Sequence, residues 1–288
     1  PLFSGTQKDV LDTLTIDENL VIKKLKKLRE DKSPGVDELS PKFLFMVQDA
    51  VVHPLVLIFN ETLRTGVVPQ DWKRSNVTPI YKHGSRKKPS NYRPISLTSQ
   101  ICKLFEMIIK DAIVEHLERH KLIFETQHGF RRGRSCLSNL LTFLEKATAS
   151  MDKGTPMDVI FLDFAKAFDK VPHNRLISKL KSHGIKGETL NWIKSWLTDR
   201  YQRVKLGGVG SGWRRVTSGV PQGSVLGPIL FLIFINDIDK QVMNSILKFA
   251  DDTKIFGGIQ SVEDQRKLQN DLDNLLASAQ DGNIEFNG

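Results

Sequence analysis

In Ser245-Ile-Leu-Lys-Phe-Ala-Asp-Asp-Thr-Lys-Ile-Phe256, apolar residues flank two adjacent aspartates on both sides. The pattern predicts a β-hairpin with Asp251-Asp252 at its tip. A two-residue hairpin loop favours Asn-Gly or Asp-Gly because its backbone takes positive φ. Asp-Asp is poor turn chemistry there, and it sets two like charges side by side. A local rule broken at an exposed tip points to a functional site, and paired carboxylates suit a divalent cation. A solvated acidic turn is the simpler alternative and stays open on this segment alone.

A third carboxylate comes from Asp158-Val-Ile-Phe-Leu-Asp-Phe-Ala-Lys-Ala-Phe-Asp-Lys170. Val159 to Phe164 is almost continuously apolar and rich in strand formers, which suits a strand covered on both faces. Asp163 lies near its end, where an ionised carboxylate is costly without a cation or donors. A cap for a following helix is the alternative. Two β elements can bring Asp163 beside Asp251. Such convergence suits a site with two Mg²⁺ ions roughly 3.5–4 Å apart, the arrangement that serves phosphoryl transfer. Mg²⁺ takes a few carboxylates together with waters and substrate phosphates, and two or three aspartates meet that need.

The 288 residues carry 42 Lys and Arg against 33 Asp and Glu, a net charge of +9, which favours a polyanionic partner. The basic residues cluster at Lys82-His-Gly-Ser-Arg-Lys-Lys88 with Arg93, at Arg131-Arg-Gly-Arg134 and at Arg214-Arg215. Cys102 and Cys136 are the two cysteines, so there is no disulfide framework and no CxxC zinc pattern. With no signal peptide at the N-terminus, an intracellular, cytoplasmic or nuclear protein is expected, not a secreted one. The longest apolar run, Val225 to Ile235, falls short of the about 20 residues that span a bilayer and reads as a buried helix.

Along the chain, Leu20 to Arg29 reads as an amphipathic helix ended by Ser33-Pro-Gly-Val-Asp37. Pro41 to Leu63 is a second helical region that Pro54 is expected to divide. Asn76 to Tyr81 and Tyr92 to Leu97 predict a hairpin with a basic tip. Ser99 to Lys121 carries Leu104, Phe105, Ile108 and Ile109 at helical spacing, and Ser138 to Ala149 is a further helix. Leu190 to Leu197 presents Trp192 and Trp196, a stripe that suits core packing, with base stacking as the other reading. Tyr201 to Leu206 and Trp213 to Thr217 predict strands. Gly219-Val-Pro-Gln-Gly-Ser224 is a tight loop before the apolar helix, with Ser224 or Gly227 as its cap.

With these residues in view, the chain resembles the reverse transcriptases. Phe249-Ala-Asp-Asp252 is similar to their Tyr/Phe-Ala-Asp-Asp signature. Five further blocks follow the family's order: Lys32-Ser-Pro-Gly-Val-Asp37; Pro79-Ile-Tyr-Lys82; Asn91-Tyr-Arg-Pro-Ile-Ser-Leu97; Gln127-His-Gly-Phe-Arg-Arg-Gly-Arg-Ser135 with Leu162-Asp-Phe-Ala-Lys-Ala-Phe-Asp169; and Ser218-Gly-Val-Pro-Gln-Gly-Ser-Val-Leu-Gly-Pro228. The ordered set resembles the non-LTR, LINE-type retrotransposon class, jockey-like elements especially, over residues 30–260.

The resemblance implies an α+β right-hand polymerase of fingers and palm. Residues 1–288 would form one reverse transcriptase domain, with 1–150 mainly fingers apart from a palm helix near 99–121, and 151–288 mainly palm. It implies RNA-directed DNA polymerase activity with Mg²⁺, or Mn²⁺ in its place, acting on an RNA template, a DNA primer and dNTPs, without a membrane. Asp163 and Asp251 would hold the metals, with Asp252 as the third carboxylate. Lys82 and Arg93 would bind the triphosphate. Phe168 would be the steric gate that favours deoxynucleotides, with Phe164, Gln222 and Gly223 also in the nucleotide pocket. Arg131, Arg132 and Arg134 would contact template or primer.

The chain departs from the family in beginning with Pro1 and stopping at Asn287-Gly288, before the lysine that follows the segment resembling Ile284-Glu-Phe-Asn287. No endonuclease domain and no complete thumb are expected, and hence little processive synthesis. The alternatives are an inactive remnant acting as a basic nucleic-acid-binding module and an RNA-templated RNA polymerase. Phe168 speaks against the latter.

Overall fold

The computed structural model describes residues 3–6 and 9–287. Pro1 and Gly288, on which the fragment reading rests, lie outside the described residues. In chain order the elements are α1 (Glu18–Leu25), α2 (Pro41–Met46), α3 (Gln48–Thr65), β1 (Arg74–Tyr81), β2 (Tyr92–Leu97), α4 (Gln100–Arg119), α5 (Cys136–Asp152), β3 (Met157–Leu162), α6 (His173–Ser182), α7 (Gly187–Leu197), β4 (Arg200–Leu206), β5 (Val209–Gly210), β6 (Arg214–Val216), α8 (Gly227–Ile235), β7 (Ser245–Phe249), β8 (Asp252–Gly258) and α9 (Val262–Gly282). The architecture is mixed α/β.

Two sheets organise it. β1 pairs antiparallel with β2 and parallel with β4, which in turn pairs antiparallel with β5 and β6. The second sheet is β3-β8-β7, antiparallel throughout. Between the helices lies a core in which Phe105 stacks on Phe59 at 4.9 Å and meets Trp192 edge-on at 4.9 Å. Burying each such side chain contributes about 1.5–3 kcal/mol. Trp192 and Trp196 are both buried, so their stripe is core. The Trp192 Nε1 donates to Thr62 Oγ1 at 3.2 Å. Helix α8 is apolar on every side, and all of it but the half-buried Pro228 is buried.

Three local expectations are corrected. Helix α3 runs unbroken through Pro54, and the break falls at Val47. The proline removes one N–H, but the packing of Leu55, Phe59 and Leu63 into the core holds the helix across the gap. Helix α1 stops at Leu25, short of Arg29. Strand β3 has a single neighbour, so it is an edge strand and not one covered on both faces: Phe161 is 74% exposed.

Candidate active site

The β7–β8 hairpin closes on the pair Phe249 and Asp252, which makes Ala250-Asp251 the two-residue loop. This shifts the predicted tip by one residue. Ala250 takes φ +58°, at the first loop position, where hairpins with this geometry normally place glycine. A non-glycine residue in the left-handed region costs about 1–2 kcal/mol. The two aspartates therefore differ: Asp251 sits in the turn and is half-buried, whereas Asp252 opens β8 and is exposed.

Asp163 follows β3 directly. The last β3–β8 partners are Leu162 and Thr253, so the next step of the ladder sets Asp163 across from Asp252. Contrary to the sequence reading, Asp163 is exposed, and its Oδ2 accepts from Asn287 Nδ2 at 2.6 Å. The burial cost falls on Asp251 instead. Its carboxyl is raised above the usual range, by burial first and also by the like charges of Asp252 and Asp163, with a backbone hydrogen bond and, more weakly, the Arg93 charge opposing. Those four groups thus share one electrostatic neighbourhood.

Arg93 stands on β2 opposite Ile80, at the base of the basic hairpin loop. Lys82 starts that loop, where its N–H donates to Asn91 O at 2.9 Å, and its side chain is exposed. The loop is tied by Tyr92 Oη donating to Arg86 O at 2.9 Å and by the Arg86 guanidinium over the Tyr81 ring at 4.9 Å.

The Gly219–Ser224 loop is wedged between β2 and the Asp163–Asp169 turn. Ser96 N donates to Gln222 O at 2.7 Å, and Val220 N donates to Phe168 O at 2.8 Å. Gly223 has φ +116°, and a Cβ there would lie 2.6 Å from Ser96 O. Only glycine permits that approach. Gln222 is half-buried. Ser224 Oγ accepts from Gly227 N at 3.0 Å, but the N-cap of α8 is Leu226 and carries no side-chain cap bond, so neither Ser224 nor Gly227 is the N-cap expected from the sequence.

Phe168 is half-buried and stacks on Phe231 at 4.7 Å. Phe164 is buried and stacks on Phe286 at 4.4 Å, so its ring packs beneath the turn and is closed to a nucleotide. Ala165 N donates to Glu285 O at 2.8 Å, and the segment 284–287 thereby runs beside the Asp163 turn.

The three arginines of the 131–134 loop differ in commitment. Arg131 Nη1 donates to Phe124 O at 3.0 Å and Gln127 O at 3.4 Å, and its Nη2 lies 3.5 Å from Glu125. Arg134 pairs with Glu125 as well. Arg132 is exposed and makes no hydrogen bond or ion pair among the described residues.

Two buried side chains escaped the sequence reading. Glu106 Oε2 accepts from Val225 N at 2.6 Å and Leu226 N at 3.2 Å, anchoring the loop that carries Gln222. A charge on the apolar face of its helix, one turn after Cys102, was the available signal. Gln127 bonds the backbone of the Ala250-Asp251 loop. Within its sequence block nothing distinguished it from its neighbours.

Among the described residues, no three His, Cys, Asp or Glu side chains close into a metal cage. The donors do fit Mg²⁺, which keeps waters and takes few carboxylates plus substrate oxygens. Asp163 and Asp252 are open to solvent, and Asp251 is half-buried within reach of their like charges.

The pattern of the family described as Reverse transcriptase (RNA-dependent DNA polymerase) matches residues 81–288, which include every site element above.

The chain belongs to the reverse transcriptase family.

It is 31% identical to the RNA-directed DNA polymerase from mobile element jockey of Drosophila melanogaster, over 96% of this chain and 31% of that protein. The jockey counterpart of Drosophila funebris is 34% identical over 80% of this chain and 25% of its own length. A probable RNA-directed DNA polymerase from transposon BS of Drosophila melanogaster is 33% identical over 76% of this chain and 24% of its own. The chain spans about a quarter to a third of these relatives.

Proposed function

We propose that this reverse transcriptase chain transfers deoxynucleotides to a DNA primer along an RNA template, as part of retrotransposition. The reading is carried by one observation: the end of β3 and the β7–β8 turn bring Asp163, Asp251 and Asp252 together beside Arg93. In the reaction the primer 3′-oxygen attacks the α-phosphorus, the bond to the bridging oxygen breaks, and pyrophosphate leaves. Asp163 and Asp251 would hold Mg²⁺, or Mn²⁺ in its place, with Asp252 as the outer carboxylate. When held there, Mg²⁺ would supply the acidity needed at the primer hydroxyl and the positive charge that offsets the charge building on the phosphate.

The remaining work is positioning and charge stabilisation. Arg93 presents a planar guanidinium to the triphosphate, and Lys82 adds a point charge from the loop. Gln222 and Gly223 form the wall under the incoming base. Phe168 excludes a ribose 2′-hydroxyl, because its ring, backed by Phe231, cannot yield space to a polar group. Arg132 is the freest of the loop arginines for a template phosphate. On this reading the β1–β2–β4 sheet with its hairpin is the fingers, and the β3-β8-β7 sheet with α4 and α8 is the palm. Two unpaired cysteines support an intracellular setting. No helix among the described residues is long and apolar enough to cross a membrane.

Single-nucleotide extension of a DNA primer on an RNA template tests the proposal. Incorporation that needs Mg²⁺, prefers dNTP over NTP and vanishes in Asp251→Ala is expected. Phe168→Val should admit NTPs. Incorporation that survives Asp251→Ala would overturn the site.

A further inference from the structure

The strained Ala250 needs something to hold it. Backbone in a sparsely populated region persists only where its surroundings over-determine it. Here one side chain bonds the strained residue directly. Gln127 is 2% exposed. Its Oε1 accepts from Ala250 N at 2.9 Å and from Gly129 N at 2.7 Å, while its Nε2 donates to Ala250 O at 3.3 Å. The amide thus grips both polar groups of the residue that precedes Asp251.

Its own backbone is fixed to the same hairpin. Lys248 N donates to Thr126 O at 2.8 Å and His128 N donates to Lys248 O at 2.9 Å, which makes 126–128 a parallel bridge on β7. Beneath, Thr126 Oγ1 donates to Asp239 at 2.7 Å, and the buried Lys248 ammonium meets Asp239 at 2.7 Å. Gly129 completes the fit, since a Cβ there would lie 2.3 Å from Ala250 N.

We propose that Gln127 is a positioning residue that aims the Asp251 carboxylate at the metal ions by locking Ala250 in its left-handed conformation. The inference rests on the reading of Asp251 as a metal ligand. Partners that orient a ligand change metal affinity even though they never touch the ion. A core amide would affect folding alone, whereas Gln127 acts on the peptide units on either side of Ala250.

The test is Mn²⁺ titration followed by electron paramagnetic resonance, with melting curves, on four proteins: the wild type, Asp251→Ala, Gln127→Met and Gln127→Met with Ala250→Gly. Methionine keeps the volume of glutamine and removes its hydrogen bonds. Glycine adopts positive φ without strain. Gln127→Met should weaken Mn²⁺ binding by about 10-fold or more, and Ala250→Gly should recover most of the loss. A folded Gln127→Met protein that binds Mn²⁺ as the wild type does overturns the proposal. So does a Gln127→Met protein that fails to fold and is not restored by Ala250→Gly, since the amide is then a plain core element. Unchanged binding in Asp251→Ala overturns the active-site reading itself, and this inference with it.

Discussion

Asn287 Nδ2 donates to Asp163 Oδ2 at 2.6 Å, and Asn287 N donates to Asp163 O at 2.8 Å. Asn287 is therefore laced to a candidate metal ligand through both side chain and backbone. One carboxylate oxygen keeps lone pairs for a cation while the amide sets its rotamer. Asn287→Ala should lower single-nucleotide incorporation about 3- to 10-fold, the scale of one accessible hydrogen bond of about 1 kcal/mol. The rate measured against Mg²⁺ concentration checks this, with a shift to higher Mg²⁺ as the expected signature.

Gly223 packs its backbone on Ser96 O at positive φ. Gly223→Ala should push the Gln222 loop off β2 and cost about 1–3 kcal/mol of stability. Because Gln222 rides on the same loop, the KM for dNTP should rise together with the loss in melting temperature. A normal KM in a destabilised variant would detach the loop from nucleotide binding.

Arg131 and Arg132 are adjacent but should behave as opposites. Arg132→Ala is expected to weaken RNA binding and to reduce its salt dependence by about one phosphate contact, with the melting temperature unchanged. Arg131→Ala should lower the melting temperature, because the Phe124 and Gln127 carbonyls lose their donor. Affinity measured across a salt series, beside a melting curve, separates the two.

His183 predicts acid sensitivity. Its Nδ1 donates to Lys179 O at 2.7 Å and its Nε2 accepts from Asn236 Nδ2 at 3.2 Å, so the neutral ring is the one that fits. Burial holds its pKa below the ordinary value. The unfolded chain then binds the proton more readily. Stability is fully present above about pH 6.5 and falls as the pH drops through and below that value. The urea midpoint should decline over that window, and His183→Gln should flatten the decline. His116, His128 and His173 are lowered by burial too and keep their own share.

Much of this was legible in the chain itself. Alternating and continuous apolar runs gave the strands around Asp163 and Asp251, and the all-apolar α8 declared its burial, because period and polarity are local properties. The order of short blocks from Lys32 to Pro228 pointed to the family that residues 81–288 match. Residue spacing could not tell which aspartate is buried. Asp163 looked embedded in an apolar run, yet it stands exposed at the end of an edge strand, and Asp251 carries the desolvation instead. Nor could it tell Arg131 from Arg132, or Phe164 from Phe168, since a charged or aromatic side chain has the same local character in the core as in a pocket. Gln127 and Glu106 show why. Each is silent in its own segment and acquires its role from N–H groups far along the chain, at Ala250 and at Val225. Sequence sets what each segment can form by itself; only tertiary packing decides which buried polar group meets which partner, because the cost of leaving either one unpaired arises when distant segments exclude water together.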